Sequence, residues 1–190
     1  MSFLYNIQPQ QFTRLLLRKR LSRVRLLVLD VDGVLTDGGL WTDEQGSVIK
    51  RFDVRDGLGI RMLQQAGIEV SMLSGGKSGA TEQRARYLGI NHCLTGVKNK
   101  PKALSDLQSK LSLVRDDTAY VGDDLNDLAV RPLVGLLVSP ADGVKEFRKK
   151  CDWILKRKGG GGAVRSVAEA ILASQGHWGG GSKGWLDQNG

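Results

Sequence analysis

Two aspartates two positions apart, Asp30 and Asp32, close the apolar run 24–31 and begin the segment Asp30-Val-Asp-Gly-Val-Leu-Thr-Asp37. In an extended chain, side chains alternate between faces with a period of two, so both carboxylates project to the same side. Two anions held that close repel, and one pKa climbs unless a cation sits between them. Mg²⁺ suits such a place: it takes one or two carboxylates and completes its shell with waters and substrate phosphate oxygens. An isolated pair of this kind is a weak signal, because solvated acids at a strand end give the same pattern.

Three more groups stand where the same chemistry needs them. Val121-Gly-Asp123-Asp124-Leu-Asn-Asp127 follows another apolar run and supplies further acids. Gly122 permits a sharp turn, and Asp123 can reach the cation that Asp30 and Asp32 would share. Asp124 suits a helix cap, a common duty of aspartate with no metal involved. Asp127, one turn further, can orient a lysine. Ser74-Gly75-Gly76-Lys77-Ser78 joins a hydroxyl to unpaired backbone N–H groups at a helix start, the makings of a phosphate cradle. An ordinary Gly-rich turn has the same composition. Lys98 and Lys100 offer positive charge to a phosphate, or are simply solvated. Taken together, a carboxylate nucleophile, a metal and positive groups around a phosphate describe phosphoryl transfer.

The elements that must position these residues alternate between strand and helix. Strands are predicted at 24–31, 69–73, 91–94, 118–121 and 133–138, with a short last one at 153–155. Helices are predicted at 57–66, 78–88, 101–111, 125–130, 143–150 and 163–173. Residues 40–42 and 48–52 flank Asp43-Glu-Gln-Gly46 and read as a β-hairpin. Trp41 belongs either to the core or to a surface this hairpin presents. The alternation gives an α/β fold: a Rossmann-like, doubly wound, mostly parallel sheet with right-handed crossovers and a small hairpin flap after the first strand. Such sheets bind ligands beyond the carboxyl ends of their strands. Asp30, Asp32, Ser74, Lys100 and Asp123 all fall there.

Length and composition agree with this. The chain has 190 residues, 41% hydrophobic and 25% charged, which suits one globular domain. Collagen-like repeats are excluded, and apolar runs such as Leu26–Leu29 are strand-sized, too short to span a membrane. Two cysteines, Cys93 and Cys151, make no disulfide framework and point to a reducing compartment, the cytoplasm. The first residues lack the apolar segment of a secretory signal. The net charge of +8 is uneven: residues 1–29 carry +6, residues 143–165 carry +6, and the rest carry −4. An acidic middle suits a cation, and basic flanks suit an anionic substrate or partner. The organisation expected is a basic, helical leading segment at 1–22, a catalytic domain at 23–176, and a flexible Gly-rich tail at 177–190 with Trp178 and Trp185.

These motifs resemble those of the haloacid dehalogenase (HAD)-like phosphatases. Asp30 to Thr36 looks like their first motif, Ser74 their second, Lys100 their third and Gly122 to Asp127 their fourth. Phe52-Asp-Val-Arg55-Asp56-Gly57 and Gly162-Ala-Val-Arg165 are similar to the small, cap-lacking 3-deoxy-D-manno-octulosonate 8-phosphate phosphatase family. Only 43 residues separate Asp30 from Ser74 and 22 separate Lys100 from Asp123, too few for a cap domain besides the core helices. The resemblance implies that Asp30 attacks phosphorus and that Asp32 protonates the leaving oxygen and later activates water. It implies Mg²⁺ on Asp30, the Asp32 carbonyl and Asp123. Ser74 and Lys100 would hold phosphoryl oxygens, with Thr36, Gly75 and Lys77 beside them and Asp124 and Asp127 behind. Arg55, Asp56 and Gly57 would lie near the substrate. It also implies a homotetramer in which each hairpin covers a neighbour's site. Two positions depart from the pattern: Gly76 and Gly161 stand where relatives carry Arg. Both bear on anion recognition, since Arg grips a carboxylate through two parallel hydrogen bonds. The basic stretch Lys156-Arg157-Lys158 is a possible substitute, carried on glycines expected to be flexible.

The activity expected is therefore Mg²⁺-dependent hydrolysis of a sugar-acid phosphate, with no nucleic-acid or membrane partner. A nonulosonate 9-phosphate is the alternative substrate. A catalytically silent binding or regulatory module is the alternative of another class. The two basic segments would also fit nucleic acid, but aromatics are only 6% of the chain and there is no base-reading motif.

Overall fold

The computed structural model describes residues 9–77 and 79–177. Its elements run α1 (Pro9–Leu21), β1 (Leu26–Leu29), β2 (Trp41–Thr42), β3 (Val48–Ile49), α2 (Val54–Gln65), β4 (Glu69–Leu73) and α3 (Gly79–Leu88). They continue with β5 (His92–Leu94), α4 (Lys100–Leu111), β6 (Thr118–Val121), β7 (Leu136–Ser139), α5 (Lys145–Arg148), β8 (Trp153–Ile154) and α6 (Ala163–Ser174). Six strands form one parallel sheet in the order β5-β4-β1-β6-β7-β8. The order reverses at β1, which places the crevice outside its carboxyl end.

β1 is buried along its whole length, so its two faces feed two cores. Leu27 and Leu29 join Val70, Met72 and Val121 under Ile60 and Leu63 of α2 and Val164, Val167 and Ile171 of α6. Leu26 and Val28 join Leu73, Tyr120 and Leu137 under Leu104 and Leu107 of α4. Helices therefore cover both faces, as the doubly wound reading requires. The leading helix α1 is anchored through Leu17 and Leu21. The Gln175 side chain donates to the carbonyls of Leu21 and Val24 at 3.3 and 2.8 Å. Residues 1–8 of the expected leading segment, Ser78, and residues 178–190 of the expected tail, including Trp178 and Trp185, lie outside the described residues. Among the described residues no helix is long and apolar enough to cross a membrane.

Local differences from the expected pattern have physical causes. The segment after Asp124 is a 3₁₀ stretch, Leu125–Leu133, closed by short turns such as Asp127 N–H to the Asp124 carbonyl at 3.0 Å. The helix expected over 143–150 shrinks to α5, because Val144 is extended (φ −56°, ψ 136°). Gly143 lies against the Ser139 hydroxyl, where a Cβ would not fit. The hairpin has only two paired positions on each strand. Trp41 on it is 71% exposed, which removes the core reading. Glycines 159 and 160 are buried, not loose. Gly160 N–H donates to the Val34 carbonyl at 3.0 Å, and a Cβ on either glycine would strike the backbone of the 33–37 loop.

Candidate active site

Asp30 leaves β1 at its carboxyl end and is only 6% exposed. Its N–H continues the sheet ladder to the Val121 carbonyl at 2.9 Å, which brings the ends of β1 and β6 into register. Its Oδ1 accepts from Val31 N–H at 2.7 Å, and its Oδ2 lies 3.1 Å from Lys100 Nζ. Lys100 opens α4, where Asn99 caps the helix by accepting from Lys102 N–H. The Lys100 ammonium also reaches Asp127 Oδ1 at 2.6 Å and Tyr120 Oη at 3.3 Å. Tyr120 Oη donates to the same Asp127 oxygen at 2.6 Å. The other Asp127 oxygen accepts from Asp123 N–H at 3.0 Å. Asp127 is fully buried, and both of its oxygens are answered, the condition for burying charge.

Electrostatics make the end of the sheet a cation site. One oxygen each from Asp30, Asp123 and Asp127 lie within 4.8 Å of one another. Burial pushes Asp123 up to about 7, helped by the charges of Asp30 and Asp127. Burial and the Asp127 charge push Asp30 up to about 6, while Lys100 pulls it back. Burial disfavours the Lys100 charge, but Asp30 and Asp127 outweigh it and hold the ammonium above its ordinary range. The anions are thus short of positive charge, and a hard, oxygen-seeking divalent cation fits the donor set. Asp127 is committed to Lys100 and to Asp123 N–H, so Asp30 and Asp123 are the side chains able to take the ion. Gly33 (φ +77°) lies directly on Asp123, and a Cβ there would collide with its carboxylate.

Asp32 is held separately. Lys50 Nζ sits 2.8 Å from its Oδ1 and donates to its Oδ2 at 2.9 Å. The Lys50 side chain is 2% exposed, and it was not among the expected site residues. The signal was present: strand alternation places Val48, Lys50 and Phe52 on one face of the hairpin's second arm. Tyr120 was likewise not foreseen, since a tyrosine inside an apolar strand reads as core.

Ser74 follows β4 directly, with its N–H on the Leu94 carbonyl at 2.8 Å and its Oγ accepting from Gly76 N–H at 3.2 Å. Its carbonyl accepts from Val97 N–H, and that of Gly76 from Gly96 N–H. This pairing fixes the 74–77 loop against the loop before α4. A Cβ at Gly76 would stand 3.6 Å from Asp32 Oδ2 and 3.7 Å from Ser74 Oγ, so Ser74 and Asp32 flank the same small space. Gly75 and Lys100 line a cavity of about 380 Å³ together with Lys98 and Asn126. Lys77 is exposed and lays its aliphatic chain on Gly96. Asp124 accepts from Leu125 N–H and caps the 3₁₀ turn.

Four expected residues stand outside this convergence. Thr36 is fully buried. Its hydroxyl accepts from the N–H groups of Gly33 and Gly38 at 3.3 and 3.2 Å, so it shapes the loop and does not face the cleft. Arg55 grips Asp53 at 2.6 and 3.0 Å, and that bond holds the Asp53 carboxyl below its usual range. Asp56 is 1% exposed and accepts from Arg165 and Gly162 N–H groups at 2.8 and 3.3 Å. It thereby caps α6 from α2, and burial raises it to about 6. Gly57 is packed under Arg84. Arg55 instead lines a separate cavity of about 310 Å³ with Arg157 and Arg165.

The site can be set beside known proteins. No protein-family model matches the chain. The 3-deoxy-D-manno-octulosonate 8-phosphate phosphatase KdsC of Escherichia coli (strain K12) is 44% identical over 153 residues, 80% of this chain and 81% of the relative. A crystal structure of 3-deoxy-D-manno-octulosonate 8-phosphate phosphatase from Moraxella catarrhalis, in complex with magnesium ion, phosphate ion and KDO, superposes with a TM-score of 0.85. It is 37% identical and covers 88% of this chain and 97% of its own. A Legionella pneumophila structure assigned to HAD superfamily subfamily III A reaches a TM-score of 0.90 at 35% identity, covering 94% and 98%.

Proposed function

Since the chain belongs to the 3-deoxy-D-manno-octulosonate 8-phosphate phosphatase family, we propose that it hydrolyses that ester to 3-deoxy-D-manno-octulosonate and phosphate, with Mg²⁺ bound by Asp30 and Asp123. The observation that carries this reading is the buried Asp30–Lys100–Asp127 array beside Asp123, at the sheet edge where a phosphate would dock. The bound ion supplies positive charge that neutralises phosphoryl oxygens and keeps Asp30 ionised.

The chain's own residues do the rest. Asp30 attacks phosphorus, and the aspartyl-phosphate forms as the bond to the sugar oxygen breaks. Asp32 gives that oxygen a proton, and in the second half takes one from the attacking water. Lys100, held by Asp127, meets the charge that builds on the transferring group. Ser74 and the N–H group of Gly75 hold phosphoryl oxygens, with Lys77 at the rim. Thr36 keeps the nucleophile loop in shape, Asp124 and Asp127 fix the helical turn behind Asp123, Arg55 and Asp56 act at the outer edge beside α6, and Gly57 gives Arg84 room there. The hairpin's exposed Leu40, Trp41 and Ile49 support a homotetramer in which each flap covers a neighbour's cleft. We place the enzyme in the cytoplasm, in lipopolysaccharide sugar synthesis.

The test is phosphate release from a panel of sugar phosphates, with and without Mg²⁺, using Asp30→Asn as control. Magnesium-dependent turnover of the octulosonate 8-phosphate, lost in D30N, is the expected result. Preference for a nonulosonate 9-phosphate, which the missing Arg at Gly76 leaves open, would overturn the substrate and keep the chemistry. No turnover of any ester by folded, metal-bound protein would overturn both.

A further inference from the structure

The two carboxylates of the Asp30-Val-Asp32 pair are served by different lysines. Asp30 shares Lys100 with Asp127. Asp32 has Lys50 to itself, at 2.8 Å from one oxygen and 2.9 Å from the other. Lys50 follows β3, on a hairpin that is otherwise open to solvent. Its side chain nevertheless turns inward to 2% exposure, and its ammonium is within 3.4 Å of the fully buried Thr81 hydroxyl on α3. Long cationic chains keep their heads in water when they can. Here the charge is drawn in and set against a single carboxylate, whose own side chain stays 35% exposed. That carboxylate flanks the same space as Ser74.

We infer that Lys50 is a positioning residue for the acid–base step, holding Asp32 toward the leaving oxygen and stabilising the carboxylate left after its proton is given up. The inference rests on the phosphatase reading above. In the step concerned, the bond from phosphorus to the ester oxygen breaks as the bond from Asp30 to phosphorus forms. The Asp32 proton passes to the ester oxygen, and Lys50 remains an ammonium throughout. Lys50 touches neither phosphate nor sugar in this account, so its effect depends on how much the leaving group needs a proton. An alkoxide needs it, whereas a nitrophenolate leaves without it.

The experiment is the first-turnover rate of Lys50→Met and wild type, at saturating substrate with Mg²⁺, over the octulosonate 8-phosphate and a series of aryl phosphates of rising leaving-group pKa. In K50M the rate falls at least tenfold more for the sugar ester than for p-nitrophenyl phosphate, and steepens along the series, while KM moves little. K50R, which restores the charge, recovers part of the difference. Parallel losses on every ester, or a raised KM at unchanged maximal rate, overturn the inference and assign Lys50 to folding or to substrate binding. If K50M does not fold, K50Q and K50R carry the same comparison. Wild-type inactivity on the sugar ester would instead refute the phosphatase reading, so the two failures are told apart.

Discussion

Replacing Asp127 with Asn keeps its shape and removes its charge from the most buried position of the site. The carboxylate is fully buried and accepts from three groups: Lys100 Nζ and Tyr120 Oη at 2.6 Å each, and Asp123 N–H at 3.0 Å. An amide oxygen can still face Lys100 and Tyr120, but its NH₂ then meets Asp123 N–H, donor against donor. Lys100, 5% exposed, keeps Asp30 at 3.1 Å as its one anionic partner, beside the neutral Tyr120 hydroxyl at 3.3 Å. Breaking a buried ion pair by removing one partner costs about 3–5 kcal/mol. The remaining Asp30 contact, and the relief of repulsion that Asp127 exerts on Asp30 and Asp123, place D127N near the lower bound, about 3 kcal/mol. Urea unfolding at pH 7 reads this as a lowered midpoint at unchanged slope. A cycle with K100M gives the coupling: the double variant is destabilised by less than the sum, because no orphaned charge remains between 100 and 127. A loss within about 0.5 kcal/mol, or strictly additive single variants, would refute the argument that these groups act as one network.

Two other outcomes follow from the same geometry. Gly33→Ala forces a side chain into the left-handed region (φ +77°) and onto the Asp123 carboxylate; the backbone alone costs about 1–2 kcal/mol, and Mg²⁺ affinity measured by calorimetry falls at least about tenfold, as expected when a ligand's immediate support is lost. The fold pushes Asp30 up to about 6 and Asp123 up to about 7 against 3.8 for the free side chain, so the folded state binds the extra protons: the contribution of these two groups to metal-free stability is fully present below about pH 4 and is lost as pH rises through about 7. Thermal melts with and without Mg²⁺ check it, with the ion raising the melting temperature more at pH 7.5 than at pH 5; an equal effect at both would contradict it.

The order of chemistry along the chain was legible because each reactive group is local to a strand end. Asp30, Ser74, Lys100 and Asp123 each follow an apolar run, and parallel strands must deliver their carboxyl ends to one edge. The alternation of strand and helix was equally plain in the spacing of apolar residues and glycines. What the sequence could not decide was which charge meets which. The Lys50–Asp32 pair spans 18 positions, and its partner Thr81 lies 31 positions further along. The pair depends on one side chain turning inward from an otherwise exposed hairpin. Asp56 reads as a site acid beside Arg55, yet it caps a helix 106 to 109 residues away, a contact set by how α2 packs on α6. Glycines 159–162 read as loose by composition, and packing against the 33–37 loop made two of them obligatory. Local pattern determines where strands end and which groups stand there; long-range packing alone decides their burial, and with it which carboxylates are paired, raised in pKa or left for a metal.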